Sequence, residues 1–176
     1  SDICADDSGN FYVVDRSENV QKIQNDSFNT ITPIAFTASS GVDSLYIEWM
    51  SGNLYITNEY DNEIYRVPDS GGAQMTVSVS VTAQGYFTPG EIFKFGASLY
   101  VVNTLNKKQA IKYDQNLSSA EVINFGANII DACVYGGALQ VLSESAVYKT
   151  DGALAVLLKW GDFGEGPGRV FNGKSI

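Results

Sequence analysis

Apolar and polar residues alternate in short segments along this chain, and turn-forming residues separate the segments. The clearest case is the run from Thr76 to Val81, Thr-Val-Ser-Val-Ser-Val, in which every second residue is apolar. Such alternation is typical of a β-strand with one buried face and one solvated face. Turns rich in glycine, serine and asparagine, such as Ser51-Gly52-Asn53, separate neighbouring segments. The pattern therefore predicts an all-β protein with almost no helix.

One segment type recurs four times, at offsets of 43, 45 and 40 residues. The copies are Asn10–Asp15, Asn53–Asn58, Ser98–Asn103 and Ala138–Ser143. Self-similarity at about 40–45 residues, in units rich in strand formers, is the signature of a β-propeller. Apolar residues inside the copies are the predicted core: Phe11, Val14, Leu54, Ile56, Leu99, Val101, Leu139 and Val141.

Each repeat holds four apolar segments in the same order, which predicts four antiparallel strands per repeat, or one propeller blade. The third strand carries a cation at one aligned position, and its apolar neighbours should point to the opposite face. These cations are Lys22, Arg66, Lys112 and Lys149. We predict a single propeller domain over residues 1–176, with repeats at approximately 1–41, 42–88, 89–128 and 129–176.

The repeats resemble the NHL family of β-propellers. The shared pattern is a glycine-rich turn, an apolar-Tyr-Val-x-Asp/Asn strand, a polar loop and an Ile-x-Lys/Arg-apolar strand. The segments Gly85–Ile92 and Gly164–Phe171 are similar to the lead-in of an NHL blade, whereas Gln140 departs from the pattern at a tyrosine position. The resemblance implies a role in recognition, as a sensor head, adhesive module or scaffold platform.

Two arrangements of the four blades are compatible with the sequence. The blades close into a ring by themselves, or they form a section of a larger ring. The resemblance favours the second arrangement, because NHL-like propellers commonly have six blades. A section with open blade edges is expected to self-associate, because unpaired strand edges attract other strands.

Composition narrows the classes of function. The 176 residues carry a net charge of −9, which argues against a nucleic acid as partner, and no apolar stretch is long enough for insertion into a membrane. The chain contains no histidine, which removes histidine-ligated zinc and the Ser-His-Asp triad. We therefore expect no enzymatic activity. The compartment stays open, with an extracellular or cell-surface location favoured.

The loops between the second and third strands are the predicted binding surface, because such loops should gather at one rim of a propeller. The candidate residues are Arg16, Glu18, Glu59, Tyr60, Asp61, Asn106 and Lys107. Tyr60 is the best single candidate, since its polar neighbours predict that it is exposed. The alternative interpretation is that these are ordinary solvated loops that use Asn and Asp for turn chemistry.

No cofactor is expected, although acidic residues near the innermost strands make a Ca²⁺ ion conceivable. These are Asp2, Asp6, Glu48, Glu91 and Asp131, and they form no compact calcium-binding loop. Cys4 and Cys133 occupy corresponding places in the first and fourth repeats. They are expected to be small buried apolar residues, and the alternative is a disulfide that clasps the two repeats.

The sequence thus predicts a non-catalytic recognition module, of an extracellular sensor or adhesion type, whose rim loops bind a protein or carbohydrate ligand. One alternative is a structural subunit of a virion or surface assembly. The other is a Ca²⁺-dependent propeller hydrolase or lactonase.

Overall fold

A computed structural model describes residues 1–15, 19–25, 27–79, 81–82, 85–144 and 146–160, except for the side chains of 27–29, 81 and 82. All regular structure in this part of the chain is β. It comprises four antiparallel sheets of four strands and one small sheet of two strands. Within each four-stranded sheet the strands follow chain order, as in a meander. The predicted all-β class with four strands per repeat is confirmed.

The first two sheets come from the first half of the chain. The first sheet contains β1 (Asp2–Ala5), β2 (Phe11–Val14), β3 (Asn19–Gln24) and β4 (Ser27–Ala35). The second sheet contains β5 (Leu45–Met50), β6 (Asn53–Asn58), β7 (Glu63–Pro68) and β8 (Met75–Ser78). A two-stranded hairpin then follows, formed by β9 (Val81–Thr82) and β10 (Gly85–Tyr86).

The last two sheets repeat the same order. The third sheet contains β11 (Pro89–Phe95), β12 (Ser98–Asn103), β13 (Gln109–Asp114) and β14 (Ala120–Asn124). The fourth sheet contains β15 (Asp131–Tyr135), β16 (Ala138–Leu142), β17 (Val147–Thr150) and β18 (Val156–Trp160).

Two outer strands are shorter than the sequence predicts. The alternating run that begins at Met75 leaves the second sheet after Ser78, and Val81 pairs in the small hairpin instead. The apolar segment from Ala153 to Trp160 predicts the fourth outer strand, but that strand begins at Val156, because the preceding residues form a turn. In that turn the Asp151 carboxylate accepts hydrogen bonds from the backbone N–H groups of Ala153 and Ala155, each at 2.9 Å. A turn stabilised by its own side chain competes with continued strand pairing.

The chain divides into two compact units, Ser1–Ile92 and Phe93–Ile176. The first unit contains the first two sheets and the small hairpin. The second unit contains the fourth sheet and most of the third, whose strand β11 begins before the boundary.

Each sheet has two distinct faces, because side chains alternate along a strand. One face carries Phe or Leu on the second strand, and we call it the Leu face. From the first sheet to the fourth, its second-strand residues are Phe11 and Val13, Leu54 and Ile56, Leu99 and Val101, and Leu139 and Val141. We call the opposite face the Tyr face. In the same order of sheets, its second-strand residues are Tyr12 and Val14, Tyr55 and Thr57, Tyr100 and Val102, and Gln140 and Leu142.

The aligned cations lie on the Tyr face, as their apolar neighbours predict. Each one pairs across the sheet with the Tyr or Gln of the second strand. The pairs are Tyr12 with Lys22, Tyr55 with Arg66, Tyr100 with Lys112, and Gln140 with Lys149. In the first sheet the ammonium nitrogen of Lys22 lies 5.3 Å from the centroid of the Tyr12 ring, within the range of a cation–π contact.

Within each unit, the Tyr face of one sheet packs against the Leu face of the next. In the first unit, Tyr12 and Val14 share one buried cluster with Leu54 and Ile56 of the second sheet. In the second unit, Tyr100 and Val102 of the third sheet share a buried cluster with Leu139 and Val141 of the fourth. Burial of these apolar faces is the main source of stability.

A tyrosine hydroxyl marks this face-to-face packing in both units. The Tyr12 hydroxyl lies 3.0 Å from Asp6 Oδ2 and 3.4 Å from Oδ2 of Asp69, in the turn between β7 and β8. At the equivalent place in the second unit, the Tyr100 hydroxyl donates to the carbonyl of Gly152, in the turn between β17 and β18. Each hydroxyl therefore reaches the same turn of the neighbouring sheet.

Seven of the eight predicted core residues are fully buried: Val14, Leu54, Ile56, Leu99, Val101, Leu139 and Val141. Phe11 is half-buried. Phe11 differs because it lies on the Leu face of the first sheet, whereas the second-strand residues on the Leu faces of the other three sheets are fully buried.

The cysteines occupy corresponding positions, as predicted: Cys4 pairs with Tyr12, and Cys133 pairs with Gln140. They are not joined by a disulfide. The expectation that both are buried is wrong, because Cys4 is half-buried and Cys133 is exposed. Cys133 lies on the Tyr face of the fourth sheet, which is covered less than the other Tyr faces.

In the part of the chain that the structure describes, no helix is long and apolar enough to cross a membrane.

Candidate functional site

The loop between β6 and β7, residues 59–62, begins at a buried asparagine. Asn58 is fully buried, and its Oδ1 accepts a hydrogen bond from the backbone N–H of Tyr60 at 3.1 Å. Its Nδ2 donates to the carbonyl of Gly41 at 2.6 Å. A side chain that bonds the backbone two residues ahead fixes a tight turn, so Asn58 sets the path of this loop.

The Asp61 carboxylate connects this loop to the segment between the first and second sheets. It accepts hydrogen bonds from the backbone N–H groups of Ser39 at 3.0 Å and Ser40 at 3.2 Å, and from the Ser40 hydroxyl. The Asn58 amide and the Tyr65 hydroxyl also donate to it, each at 3.0 Å. Asp61 therefore holds two chain segments together, and its oxygen atoms are already engaged within the protein.

These hydrogen bonds shift the pKa of Asp61. Partial burial raises the pKa, but the hydrogen bonds from Ser40, Tyr65 and Ser39 outweigh it and leave the pKa below its ordinary value. The ionised form is thus the one that the loop stabilises.

Tyr60 projects from this fixed loop, and its side chain is 63% exposed, as the sequence predicts. One edge of its ring lies over Gly41. A Cβ atom at Gly41 would meet Tyr60 Cε1 at 3.1 Å, so a larger residue there would displace the ring. The ring is therefore held at its base and open to solvent over most of its surface. An exposed aromatic ring on a rigid support is a common anchor in protein interfaces.

Glu59, which precedes Tyr60, is one of three carboxylates near the Tyr46 hydroxyl of β5. Glu59 is half-buried. Burial raises the pKa of the Tyr46 hydroxyl, and the negative charges of Glu91, Glu59 and Asp2 raise it further. This pattern places three carboxylates near one tyrosine and makes the local potential negative.

The equivalent loop of the third sheet, residues 104–108, is built in the same way. Asn103 is fully buried, and its Oδ1 accepts a hydrogen bond from the backbone N–H of Leu105 at 3.1 Å. Leu105 is 68% exposed and takes the place of Tyr60. Leu105 is not among the site residues that the sequence predicts. The alignment of Asn103-Thr104-Leu105 with Asn58-Glu59-Tyr60 is the signal that identifies it.

Asn106 and Lys107 have different roles in this loop. Asn106 Oδ1 accepts a hydrogen bond from the backbone N–H of Lys108 at 3.3 Å, which is the turn chemistry of the alternative interpretation. The side chain of Lys107 is exposed, and its carbonyl accepts a hydrogen bond from Ile129 at 2.9 Å. Residues 125–130 also reach the next loop, because Asn128 donates to Glu144 at 3.0 Å. This segment therefore joins the loops of the third and fourth sheets.

The predicted site residues fall into three groups. Tyr60 and Lys107 present exposed side chains, while Asp61 and Asn106 support their own loops and Glu59 is half-buried. Arg16 and Glu18 lie outside the described residues. The role of these residues in binding stays a prediction.

The Ca²⁺ hypothesis also stays a prediction. Among the described residues, no group of three or more His, Cys, Asp or Glu side chains is placed to hold a metal ion. Several of the proposed acids bond to nearby backbone instead. Asp2 accepts from the N–H of Ile47 at 3.0 Å, and Asp131 accepts from Ala132 at 2.8 Å.

Two polar pockets lie at repeat-equivalent places in the first and third sheets. One has a volume of about 290 Å³ and is lined by Ser98, Lys112, Tyr113, Asp114, Ser119, Ala120 and Glu121. The other has a volume of about 360 Å³ and is lined by Ser8, Asn10, Lys22, Gln24 and Asn25. Each contains the aligned lysine of its third strand.

Known structures resemble this chain in fold. A chain of the nidogen/laminin complex is 14% identical, with a TM-score of 0.63 over 85% of this chain and 58% of that chain. YjhT is 12% identical, with a TM-score of 0.70 over 97% of this chain and 67% of its own. BBS1N, solved in complex with ARL6DN, is 10% identical, with a TM-score of 0.59 over 89% of this chain and 50% of its own. No family model matches the sequence, and no curated protein is significantly similar to it.

These similarities establish the fold. Four antiparallel four-stranded sheets and propeller-like neighbours identify a β-propeller fold. The narrower resemblance to the NHL family stays a prediction. The chain spans 58% of the length of the nidogen/laminin neighbour and 50% of the length of BBS1N.

Proposed function

We propose that this chain is a non-catalytic interaction module that binds a protein partner through its strand-connecting loops. The observation that supports this most strongly is Tyr60, which is 63% exposed on a loop held by Asn58, Asp61 and Gly41. A loop that is already fixed loses little conformational entropy on binding, so its contacts contribute fully to affinity. Propeller neighbours in protein complexes support the same class of function. The proposal places the module in extracellular sensing or adhesion.

The charge near Tyr60 suggests the chemistry of the partner. Glu59 and Asp61 flank Tyr60 in the sequence, the Asp61 carboxylate is stabilised in its ionised form, and the whole chain carries a net charge of −9. A basic partner segment gains from this field, and an arginine or lysine side chain can also stack on the Tyr60 ring. We therefore propose a protein segment with exposed positive charge as the ligand.

A peptide-display selection against the chain tests this proposal, followed by titration of the recovered peptides. Replacing Tyr60 with Ala is expected to weaken saturable binding by about tenfold or more, the effect typical of an aromatic anchor. Tyr86, which is 79% exposed in the small hairpin, provides the matched control, and Tyr86→Ala is expected to leave binding unchanged.

Two results would contradict the proposal. One is that no recovered peptide binds saturably. The other is that the Tyr60→Ala and Tyr86→Ala variants bind the peptides as tightly as the unmodified chain does.

A carbohydrate ligand is the second candidate, and the two equivalent polar pockets favour it. Each pocket combines the hydroxyl, amide or carboxylate groups of its lining with one lysine. Groups of this kind can hydrogen-bond sugar hydroxyls. If glycans bind there, the double variant Lys22→Ala, Lys112→Ala abolishes retention on a glycan array and Tyr60→Ala does not.

A further inference from the structure

The two faces of each sheet are not buried equally along the chain. On the Leu face, the second-strand residues of the second, third and fourth sheets are fully buried, but Val13 of the first sheet is only half-buried. On the Tyr face, Tyr12, Tyr55 and Tyr100 are buried, whereas Gln140 of the fourth sheet is half-buried. At the second strand, among the described residues, the Leu face of the first sheet and the Tyr face of the fourth sheet are thus the two that are incompletely covered.

The Leu face of the first sheet is apolar at every described row position except Gln21. The cross-strand rows are Ile3 with Val13, Gln21 and Pro33, and Ala5 with Phe11, Ile23 and Ile31. No residue in these rows is charged. Ile3 is 57% exposed and Ile31 is 54% exposed. Adjacent exposed apolar side chains of this kind usually mark an interaction surface.

The Tyr face of the fourth sheet also exposes large apolar side chains. One cross-strand row of this face consists of Cys133, Gln140, Lys149 and Leu158, one residue from each strand. On the same face, Tyr135 is 79% exposed, Leu158 49% and Trp160 45%. This face also carries two charged residues, Lys149 and, in the adjacent row with Leu142, Asp131. The covered Tyr face of the first sheet carries the equivalent pair, Lys22 and Asp2.

We propose that the Tyr face of the fourth sheet binds the Leu face of the first sheet of a second copy of this chain. The chain itself supplies the template for this pairing. In both units, the Tyr face of one sheet packs against the Leu face of the next sheet, never against another Tyr face, among the buried clusters of the described residues. The two incompletely covered faces are one Leu face, on the first sheet, and one Tyr face, on the fourth. Two copies of the chain can therefore form the same Tyr-on-Leu contact between them.

The contact joins different surfaces, so it is a head-to-tail association. Such an association leaves one free face of each kind at the ends, unless the copies close into a ring. The inference is independent of the proposed ligand site, because neither face includes Tyr60 or the loop of residues 104–108.

Analytical ultracentrifugation over a concentration series, with a reducing agent to keep Cys133 from cross-linking, tests the association. The unmodified chain is expected to gain mass with concentration. A charge on the outer strand of either face should weaken association roughly a hundredfold, because an unpaired carboxylate would be buried. The variants are Ile31→Glu for the first sheet and Leu158→Glu for the fourth. The control is Leu105→Glu. Leu105 is 68% exposed on a loop, so this variant is expected to associate as the unmodified chain does.

Mixing the two variants separates a head-to-tail contact from other kinds of association. Ile31→Glu keeps an intact Tyr face and Leu158→Glu keeps an intact Leu face, so each alone stays monomeric and an equimolar mixture forms dimers that grow no further. Recovery of association in the mixture also shows that both variants are folded. A monomeric unmodified chain at every concentration would overturn the proposal. Self-association of Leu158→Glu alone, or a mixture that stays monomeric, would overturn it as well.

Discussion

Replacing Val101 with Ala is expected to lower the free energy of unfolding by about 2–3 kcal/mol, between the costs usual for Ile→Val and Leu→Ala in a core. Val101 is fully buried on the Leu face of the third sheet. Removing its two methyl groups loses buried apolar surface and leaves a cavity that rigid strands cannot close. Chemical denaturation followed by circular dichroism measures the change.

The repeat provides a matched control for this substitution. Val13 occupies the equivalent position in the first sheet but is only half-buried, so Val13→Ala should cost about 1 kcal/mol or less. The two variants remove the same atoms from the same place in the repeat. Equal losses of stability would contradict the difference in burial between the two Leu faces.

Replacing Asp61 with Ala is expected to cost about 2 kcal/mol, near the low end for charged hydrogen bonds because the site is partly exposed. The substitution leaves the buried Asn58 amide and the N–H groups of Ser39 and Ser40 without their shared acceptor. Asp7→Ala, at an exposed turn position, is the control and is expected to be nearly neutral. Thermal unfolding of the three proteins measures both effects, and a neutral Asp61→Ala would contradict the role assigned to this carboxylate.

The same carboxylate gives the stability a dependence on pH. The pKa of Asp61 is below its ordinary value in the folded chain, so the folded state binds fewer protons there than the unfolded state does. Its contribution is complete above the ordinary pKa and is lost as the pH falls through the lowered pKa. The difference in stability between the unmodified chain and Asp61→Ala should therefore shrink on acidification.

Much of the fold can be predicted from the sequence, because the strand pattern is local and occurs four times. The Tyr-bearing segment around Tyr55 fixes the second strand, and the aligned cation Arg66 fixes the third strand and its face. Alternation alone then decides which side chains are buried together, as Leu54 and Ile56 show.

The details that the sequence does not predict depend on contacts between distant segments. The sequence indicates that Asp61 is an acidic residue of a surface loop. In the structure its carboxylate accepts hydrogen bonds from residues that lie 21 and 22 positions earlier in the chain. The sequence predicts that Cys133 is a small buried apolar residue. It is exposed instead, because its exposure depends on how the fourth sheet is covered. The exposed position of Leu105 follows from the buried Asn103 beside it, whose burial no local pattern specifies.

The packing of Tyr faces on Leu faces is the central claim, and nuclear Overhauser contacts between methyl groups test it most directly. Cross-peaks are expected between Val14 and the cluster of Leu54 and Ile56 in the first unit, and between Val102 and Val141 in the second. Assigned spectra of a folded chain in which these inter-sheet cross-peaks are missing, while those between paired strands are present, would contradict it.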